Sequence, residues 1–297
     1  MTRAGFVGLA GRPNAGKSTL VNAIVGRRVA IVSDRPQTTR RAVRGVATDT
    51  EAGWQLVLVD LPGVQRPRDA LTERMQRRVE RELAGADVAL LVVNGEEGVG
   101  PGDRFIARAL LAANEGVPLI CAVNKVDRLG PADTVVALED AAGLEAVGEV
   151  FPLSARTGSG LEELVGRLAE LMPESPFLYP PQERSDQPSD VLLAELIREQ
   201  VLNRTREEVP HSVEVSVTGI QERDDGLVEV RAEIWADSES QKGILIGAGG
   251  RKVAEIGTAA RRELQLELGK KVFLDLQVRV RRHWRRDASL LDRLGIE

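Results

Sequence analysis

Residues 11–18 read GRPNAGKS, which fits the pattern GxxxxGK followed by Ser or Thr. The segment follows a short apolar run, Phe6–Ala10, and precedes Leu20–Val25, where apolar residues recur at helical spacing. A glycine-rich turn between a strand and a helix points backbone N–H groups at a phosphate, and the helix dipole favours negative charge there. We therefore expect a phosphate-binding loop (P-loop) in an α/β domain that has a mostly parallel sheet with helices on both faces.

The P-loop residues are all candidates for nucleotide binding. Lys17 is expected to reach the β- and γ-phosphates and to act in catalysis, and the Ser18 hydroxyl is expected to ligate Mg²⁺. Glycines in the loop let phosphates approach the main chain closely. The candidate set is Gly11, Arg12, Pro13, Asn14, Ala15, Gly16, Lys17, Ser18 and Thr19.

The base is predicted by a second motif, because a P-loop alone does not choose between ATP and GTP. Residues 124–127 read NKVD and follow a strand-like apolar run, Pro118–Val123. The Asp127 carboxylate can accept hydrogen bonds from N1–H and the 2-amino group of guanine, and adenine offers neither donor on that edge. Such a site rejects the analogue that lacks the donors, since its own polar groups would stay unpaired. GTP is therefore the predicted nucleotide.

A third strand, Val150–Leu153, leads into the sequence SAR, where a backbone N–H can meet guanine O6. Each of these short motifs alone could be an ordinary polar turn at the end of a strand. Their order after a P-loop favours the guanine-binding interpretation. The base-binding candidates are Asn124, Lys125, Asp127, Ser154, Ala155 and Arg156.

The segment between the two motifs contains candidates for a nucleotide-dependent switch. Residues 60–63 read DLPG after a buried strand, Gln55–Val59. Asp60 suits an acceptor beside Mg²⁺, and the Gly63 N–H can donate to the γ-phosphate. Upstream, the polar stretch 33–41 offers two threonines that could close over Mg²⁺. We favour Thr39, and Thr38 is the alternative. The candidate nucleotide ligands here are Asp60, Leu61, Pro62 and Gly63, the candidate metal residues are Ser18, Thr39 and Asp60, and the candidate catalytic residues are Lys17, Thr39 and Gly63.

Two residues bear on the rate of hydrolysis. Val64 stands where GTPases of the Ras type place a glutamine that orients the attacking water. Valine cannot hydrogen-bond water, so slow intrinsic hydrolysis is expected unless backbone, another residue or a partner holds the water. The Asn14 side chain could hold a monovalent cation such as K⁺ against the phosphates and so supply positive charge. The alternative is that Asn14 caps the loop.

Composition excludes several classes of protein. The 297 residues suggest about two domains at roughly 150 residues each. No apolar run approaches the ~18 residues of a membrane span, and no secretory signal is seen, so a cytoplasmic protein is expected. One cysteine and two histidines exclude disulfide scaffolds and histidine-rich metal sites. Nine aromatic residues are too few for an RNA-binding sheet that stacks bases on rings.

Charge and proline content divide the chain. Residues 240–286 carry a net charge of +8 while the whole chain carries −5, so the remainder carries −13. Residues 173–190 hold five of the 14 prolines, which indicates a semi-extended linker. We therefore predict a GTP-binding domain at 1–172, a linker at 173–190, and a second domain at 191–297 that has a basic C-terminal tail.

The second domain has the pattern of a KH domain, a single-stranded RNA-binding fold. Its predicted order is α-β-β-α-α-β, with a helix at Val191–Glu207, strands at His211–Gln221 and Leu227–Ala236, a helical segment at Lys242–Ile246, a helix at Arg251–Leu268 and a strand at Val272–Val280. A GxxG turn between two helices, flanked by basic residues, clamps the backbone of about four nucleotides. The RNA-binding candidates are Lys242, Gly247, Ala248, Gly249, Gly250, Arg251 and Lys252. Trp284 is expected to pack or to be solvated, and stacking on a base is the alternative.

These motifs together resemble those of the bacterial Era GTPases over nearly the whole chain: GRPNAGKS, PQTTR, DLPG, NKVD and SAR, then QKGILIGAGGRKVAEIG. The resemblance implies a G domain joined to a type-II KH domain, and GTP hydrolysis coupled to assembly of the small ribosomal subunit. It implies KH binding near the 3′ end of the small-subunit (16S) ribosomal RNA and peripheral association with the inner membrane face. We further expect a monomer. Ala248 departs from the family, which commonly carries a polar or basic residue there, so one phosphate contact is expected to be missing.

Two other functions stay open. An ATP-dependent metabolic kinase of the P-loop type would share GRPNAGKS, but NKVD argues against it. A nucleotide-regulated RNA-binding protein whose hydrolysis is incidental is compatible with Val64.

Overall fold

Alternating strands and helices form the first part of the computed structural model, which describes residues 1–33, 35, 38–63, 68–113, 116–145, 147–205 and 209–296. The chain divides into two compact units. The first comprises Met1–Arg68 and Thr72–Asp186, and the second comprises Asp69–Leu71 and Gln187–Glu297. None of the helices in the described ranges combines the length and the apolar character needed to cross a membrane.

The sheet of the first unit has the order β2-β3-β1-β4-β5-β6, in which β2 pairs antiparallel with β3 and the other neighbours are parallel. Its strands are β1 (Arg3–Ala10), β2 (Val43–Asp49), β3 (Trp54–Asp60), β4 (Val88–Asn94), β5 (Leu119–Asn124) and β6 (Glu149–Pro152). The helices in this part of the chain are α1 (Lys17–Val25), α2 (Ala70–Ala84), α3 (Pro101–Ala113), α4 (Pro131–Ala142) and α5 (Leu161–Leu171).

Helices cover both faces of this sheet. On one face, Leu20 of α1 and Leu164 of α5 pack into a cluster with strand residues such as Leu90. On the other face, Ile106 of α3 and Ala137 of α4 pack with a second set of strand residues. The central strands β4 and β5 are apolar up to their final asparagine, as expected for parallel strands covered on both faces. The carboxyl ends of β1, β3 and β5 therefore bring three of the predicted motifs to the same edge of the sheet.

The proline-rich segment lies along the first unit and contains a turn, in which the Glu183 N–H donates to Pro180 O at 2.9 Å. The N–H of Val46 donates to Arg184 O at 2.9 Å, and Gly45 forms a β-bridge with Ser185. Gln55 Oε1 accepts the N–H groups of Leu178 and Tyr179 at 2.8 and 2.9 Å. Proline removes donors but leaves carbonyls and the other amides available, which is why this segment can pair with the edge of a sheet. We call residues 173–186 the strap.

The second unit contains a three-stranded sheet of order β7-β8-β9, in which β7 and β8 are antiparallel and β8 and β9 are parallel. The order along the chain is α-β-β-α-α-β, as predicted, with two short helices added. The elements are α6 (Ser189–Arg204), α7 (Val209–Ser212), β7 (Glu214–Glu222), β8 (Val228–Ala236), α8 (Glu239–Ile246), α9 (Arg251–Leu268), β9 (Val272–Val280) and α10 (Ala288–Arg293).

Two predictions for the second unit are wrong in detail. The strand predicted from His211 begins at Glu214, because residues 209–212 form the short helix α7, whose first turn accommodates Pro210. The helix predicted to reach Glu207 ends at Arg204, Thr205 is extended, and residues 206 and 207 lie outside the described residues.

Trp284 belongs to the core, so the base-stacking alternative is also wrong. Its side chain is fully buried, and Nε1 donates to Ser212 O at 2.9 Å. A buried indole needs a partner for its N–H, and α7 supplies one.

Candidate nucleotide-binding and RNA-binding sites

The P-loop connects β1 to α1, and its glycines are required by close contacts. Gly16 has φ +95°, and a Cβ there would lie 2.2 Å from Asn124 Nδ2. A Cβ at Gly11 would lie 2.3 Å from Val92 O. Side chains at these positions would therefore push the loop away from β4 and β5. Asn14 also has a left-handed conformation, with φ +62°, which asparagine tolerates better than most residues.

Lys17 is folded back into the loop. Its Nζ donates to Gly11 O at 3.1 Å and to Arg12 O at 3.3 Å. Burial lowers the pKa of Lys17, and the charge of Asp60 opposes that effect. The ammonium thus lies where the P-loop carbonyls and Asp60 converge, which is the position from which it can reach a bound phosphate.

Three predicted metal residues meet beside Lys17. Ser18 Oγ donates to Asp60 Oδ2 at 2.6 Å, and Thr39 Oγ1 lies 3.2 Å from Ser18 Oγ and 3.3 Å from Asp60 Oδ2. Asp60 is fully buried, and its Oδ1 has no hydrogen-bond partner. Burial is also the main reason that the pKa of Asp60 is raised, against the opposing charge of Lys17. A hard divalent cation would satisfy this set of oxygens, so the residues fit Mg²⁺.

The two candidate threonines differ clearly in position. Thr38 Oγ1 donates within its own loop, to Arg35 O at 2.5 Å, whereas Thr39 faces Ser18 and Asp60. The geometry therefore favours Thr39 for the metal.

The base end of the cleft is organised by Asn124. Its Nδ2 donates to Ala15 O at 2.9 Å, and its Oδ1 accepts the N–H groups of Lys125 and Ala155 at 2.8 and 3.0 Å. One side chain thus joins the P-loop, the NKVD motif and the SAR turn. Asn124 was predicted to bind the base, and its side chain also connects the three loops.

Asp127 is the candidate for reading guanine. Its Oδ1 accepts from Ser154 Oγ at 2.6 Å and its Oδ2 accepts from Arg156 Nη2 at 2.5 Å. The Ser154 hydrogen bond, followed by that of Arg156, holds the pKa of Asp127 below its usual range. At neutral pH the ionised carboxylate can therefore accept hydrogen bonds but cannot donate them, as recognition of two guanine donors requires.

Most predicted ligands line one cleft of about 360 Å³. Those that line it are Pro13, Asn14, Gly16, Lys17, Ser18, Thr19, Thr39, Gly63, Asn124, Lys125, Asp127, Ala155 and Arg156. Gly11, Ala15, Asp60 and Ser154 lie behind the lining and make the contacts described above. Leu61 is fully buried in the core, and Pro62 is also buried. Arg12 turns its side chain to another loop. Val64, Pro36 and Gln37 lie outside the described residues.

Sequence reasoning missed several lining residues. Ile31, Val32, Ser33, Arg35 and Arg128 also line the cleft. Glu96 was missed as well; its Oε2 pairs with Arg128 at 3.0 Å and lies 3.9 Å from Lys125 Nζ. No sequence motif predicts these positions, because they depend on how separate loops pack against one another.

The GxxG turn joins α8 to α9 in the second unit. Gly247, Gly249 and Gly250 have φ values of +70°, +60° and +79°. A Cβ at Gly247 would lie 2.7 Å from Lys252 Cβ, whereas nothing lies within 4 Å of a Cβ at Gly249 or Gly250. The backbone of the turn is therefore open to a ligand. Ala248 and Arg251 are exposed, and Lys242 and Lys252 are about one third exposed, with 34% and 37% of their side chains accessible.

The chain matches known protein families and relatives. A 50S ribosome-binding GTPase family matches residues 6–125, and a KH domain family matches residues 208–285. GTPase Era from Mycobacterium bovis is 44% identical over 297 residues, covering 98% of this chain and 98% of the relative. The chain belongs to the Era GTPase family. GTPase Era from Mycobacterium tuberculosis shows the same identity and coverage.

Solved Era structures superpose on the whole chain. A variant of Aquifex aeolicus Era bound to GDP·AlF₄⁻ has a TM-score of 0.94 at 35% identity, with 99% of each chain covered. Era in complex with MgGDPNP and nucleotides 1506–1542 of 16S ribosomal RNA has a TM-score of 0.94 at 36% identity, covering 100% of this chain and 99% of that one. The predicted family, fold class and enzyme class, a GTPase, are confirmed. The nucleotides and Mg²⁺ of these Era structures agree with the predicted cofactors.

Proposed function

We propose that this protein is a GTP-dependent switch that binds the 3′ end of 16S ribosomal RNA through its KH domain and acts in assembly of the small ribosomal subunit. One observation carries the proposal: an Era structure that matches the whole chain holds MgGDPNP together with 16S nucleotides 1506–1542. The open GxxG backbone and its basic flanks provide the matching chemistry in this chain.

The proposed roles at the nucleotide follow from the cleft. The P-loop amides and Lys17 bind the phosphates, and the Gly63 N–H donates to the γ-phosphate. Ser18 and Thr39 would ligate Mg²⁺, with Asp60 as an acceptor behind these ligands, and the bound ion would neutralise charge that develops on the phosphate oxygens. In this arrangement Thr39 contacts Mg²⁺ and Gly63 contacts the γ-phosphate, so loss of that phosphate on hydrolysis would remove these contacts and release both segments.

A second candidate function keeps the RNA binding and makes hydrolysis incidental. Val64 favours it, since a valine at this position cannot orient water. A GTPase-dead protein that still supported subunit assembly would favour this candidate. We place the protein in the cytoplasm, where ribosomal RNA is found; its monomeric state and a peripheral association with the membrane stay predictions.

RNA binding is tested by introducing a negative or a positive charge at Ala248. Ala248 is exposed between two glycines of positive φ, so a longer side chain there meets solvent or RNA. Ala248→Asp is expected to weaken binding by about fivefold or more, since like charges a few ångströms apart at a protein surface cost about 1–4 kcal/mol. Ala248→Lys is expected to tighten binding and to steepen its log–log salt dependence by roughly 0.7.

The measurement is the affinity for an RNA of 16S nucleotides 1506–1542 with GDPNP or GDP bound. Ala248→Ser serves as the uncharged control, and GTP hydrolysis should be unchanged in all three variants. Equal affinities for the Asp and Lys variants would show that the RNA does not contact this turn.

The monovalent cation is tested at Asn14. Hydrolysis is expected to be about tenfold faster in K⁺ than in Na⁺, because a fixed positive charge beside the phosphates stabilises the transition state. Asn14→Gly keeps the left-handed backbone but removes the side-chain oxygen, so the difference between the salts should disappear. If the wild-type protein hydrolyses GTP equally fast in both salts, Asn14 acts as a loop cap.

A further inference from the structure

Arg12 turns away from the nucleotide cleft towards the segment that follows β4. Its Nη1 donates to Glu97 Oε2 at 2.9 Å, its Nη2 donates to Gly98 O at 2.8 Å, and its Nε lies 2.8 Å from Asp103 Oδ2. The planar guanidinium therefore faces three oxygens that are fixed relative to one another. A lysine could not reproduce this arrangement, because it offers one point charge.

The surroundings leave room for this side chain. A Cβ at Gly102 would lie 2.9 Å from Arg12 Cδ, so any other residue there would displace the arginine. Asp103 is fully buried, and its Oδ2 also accepts the Gly100 N–H at 2.9 Å at the start of α3. A buried carboxylate is costly without a cation. Arg12 and Asp103 therefore hold each other in place, whereas the half-exposed Glu97 adds little.

The main chain of the same residue belongs to the phosphate site. Arg12 O accepts the Ala15 N–H at 3.3 Å and lies 3.3 Å from Lys17 Nζ. A shift of Arg12 would move a turn of the P-loop and the lysine that serves the phosphates. The guanidinium lies outside the P-loop. Its contacts there fix the position of the P-loop main chain that would bind the phosphates.

We propose that Arg12 is a positioning residue: its ion pair with Asp103 holds the P-loop main chain and Lys17 in the geometry that binds phosphates. The role differs from the direct nucleotide contact predicted from the sequence, and it rests on the proposed GTP site. The candidate base-reading carboxylate, Asp127, is instead held by Ser154 and Arg156. Loss of Arg12 should therefore weaken phosphate recognition and spare base recognition.

The test compares a ligand that has phosphates with one that has none. For Arg12→Ala in the full chain, calorimetry is expected to show GDP affinity reduced by about 10²-fold, the loss expected when the displaced loop gives up about one charge-assisted hydrogen bond to phosphate. Affinity for guanosine should stay within about twofold, and Glu97→Gln should change neither affinity by more than that, since exposed ion pairs contribute little. Partial unfolding alone would reduce both affinities by the same factor, and that result would overturn the proposal.

Arg12→Lys provides a variant that folds even if Arg12→Ala does not, because a positive charge still faces Asp103. It is expected to bind GDP about tenfold more weakly than the wild type, with guanosine unaffected, because one ammonium cannot satisfy the three oxygens. Wild-type GDP affinity in this variant would overturn the proposal. Failure of the wild-type protein to bind GDP or guanosine would instead contradict the GTP site itself.

Discussion

Asp127→Asn is expected to change the base preference of this protein from guanine to xanthine. The carboxylate accepts two guanine donors, and each such charge-assisted hydrogen bond contributes about 1.5–3 kcal/mol, so GTP affinity should fall by roughly 10²–10⁴-fold. The amide offers one acceptor and one donor, which match N1–H and the 2-oxo group of xanthine. The measurement is competition between GTP and XTP for binding and hydrolysis.

Ser154→Ala is the matched control for this substitution. Ser154 donates to Asp127 Oδ1 at 2.6 Å and holds the carboxylate in place. Its loss should weaken GTP binding modestly without any gain for XTP. Unchanged GTP affinity in Asp127→Asn would remove Asp127 from the base site.

The pH dependence of GTP binding follows from the same carboxylate. Hydrogen bonds from Ser154 and Arg156 hold the pKa of Asp127 below its ordinary value. A group with a depressed pKa stays ionised as the pH falls through the ordinary range of aspartate. GTP binding through Asp127 is therefore expected to persist through that range and to be lost only at lower pH.

Lys17→Ala is expected to reduce kcat/KM for GTP by roughly 10²–10³-fold, the usual loss when one preorganised charge donor to a transition state is removed. The Lys17 side chain is buried, its ammonium donates to two P-loop carbonyls, and the charge of Asp60 acts on it. Its removal leaves the negative charge of Asp60 without this counter-charge and the phosphates without the donor.

Lys17→Arg tests whether charge alone is enough. The larger guanidinium does not fit between the two carbonyls that accept from Lys17, so hydrolysis should stay low. Single-turnover kinetics separate the chemical step from nucleotide binding, and RNA affinity should be retained because the KH turn has its own core in the second unit. Wild-type turnover in Lys17→Ala would contradict the assigned role.

The site was most predictable where its chemistry lies in contiguous residues. The P-loop and the NKVD motif carry their ligands within a few residues, and parallel strands bring such loops to one edge of a sheet. The direction of the Arg12 side chain could not be predicted, because its partner Asp103 is 91 positions away and no local pattern links the two. The contacts of Glu96 could not be predicted for the same reason, since its partners Lys125 and Arg128 lie in another loop.

In the fold, too, the features that depend on local sequence were predictable, and those that depend on distant residues were not. The KH element order followed from alternation, helical spacing and the GxxG turn. The short helix α7 was missed because the alternating residues of β7 continue upstream in the sequence, although Pro210 favours the start of a helix. The burial of Trp284 depends on the Ser212 carbonyl, which no pattern near residue 284 reveals.

The strap has a consequence for the solubility of the first unit. β2 is an edge strand, and residues 184–185 occupy part of that edge. A fragment that ended at residue 172 would present unpaired amides and carbonyls of β2, which is the kind of edge that recruits strands from other molecules. Extending the fragment through Asp186 would restore the pairing of Arg184 and Ser185 with β2, so this segment is expected to reduce self-association of the first unit.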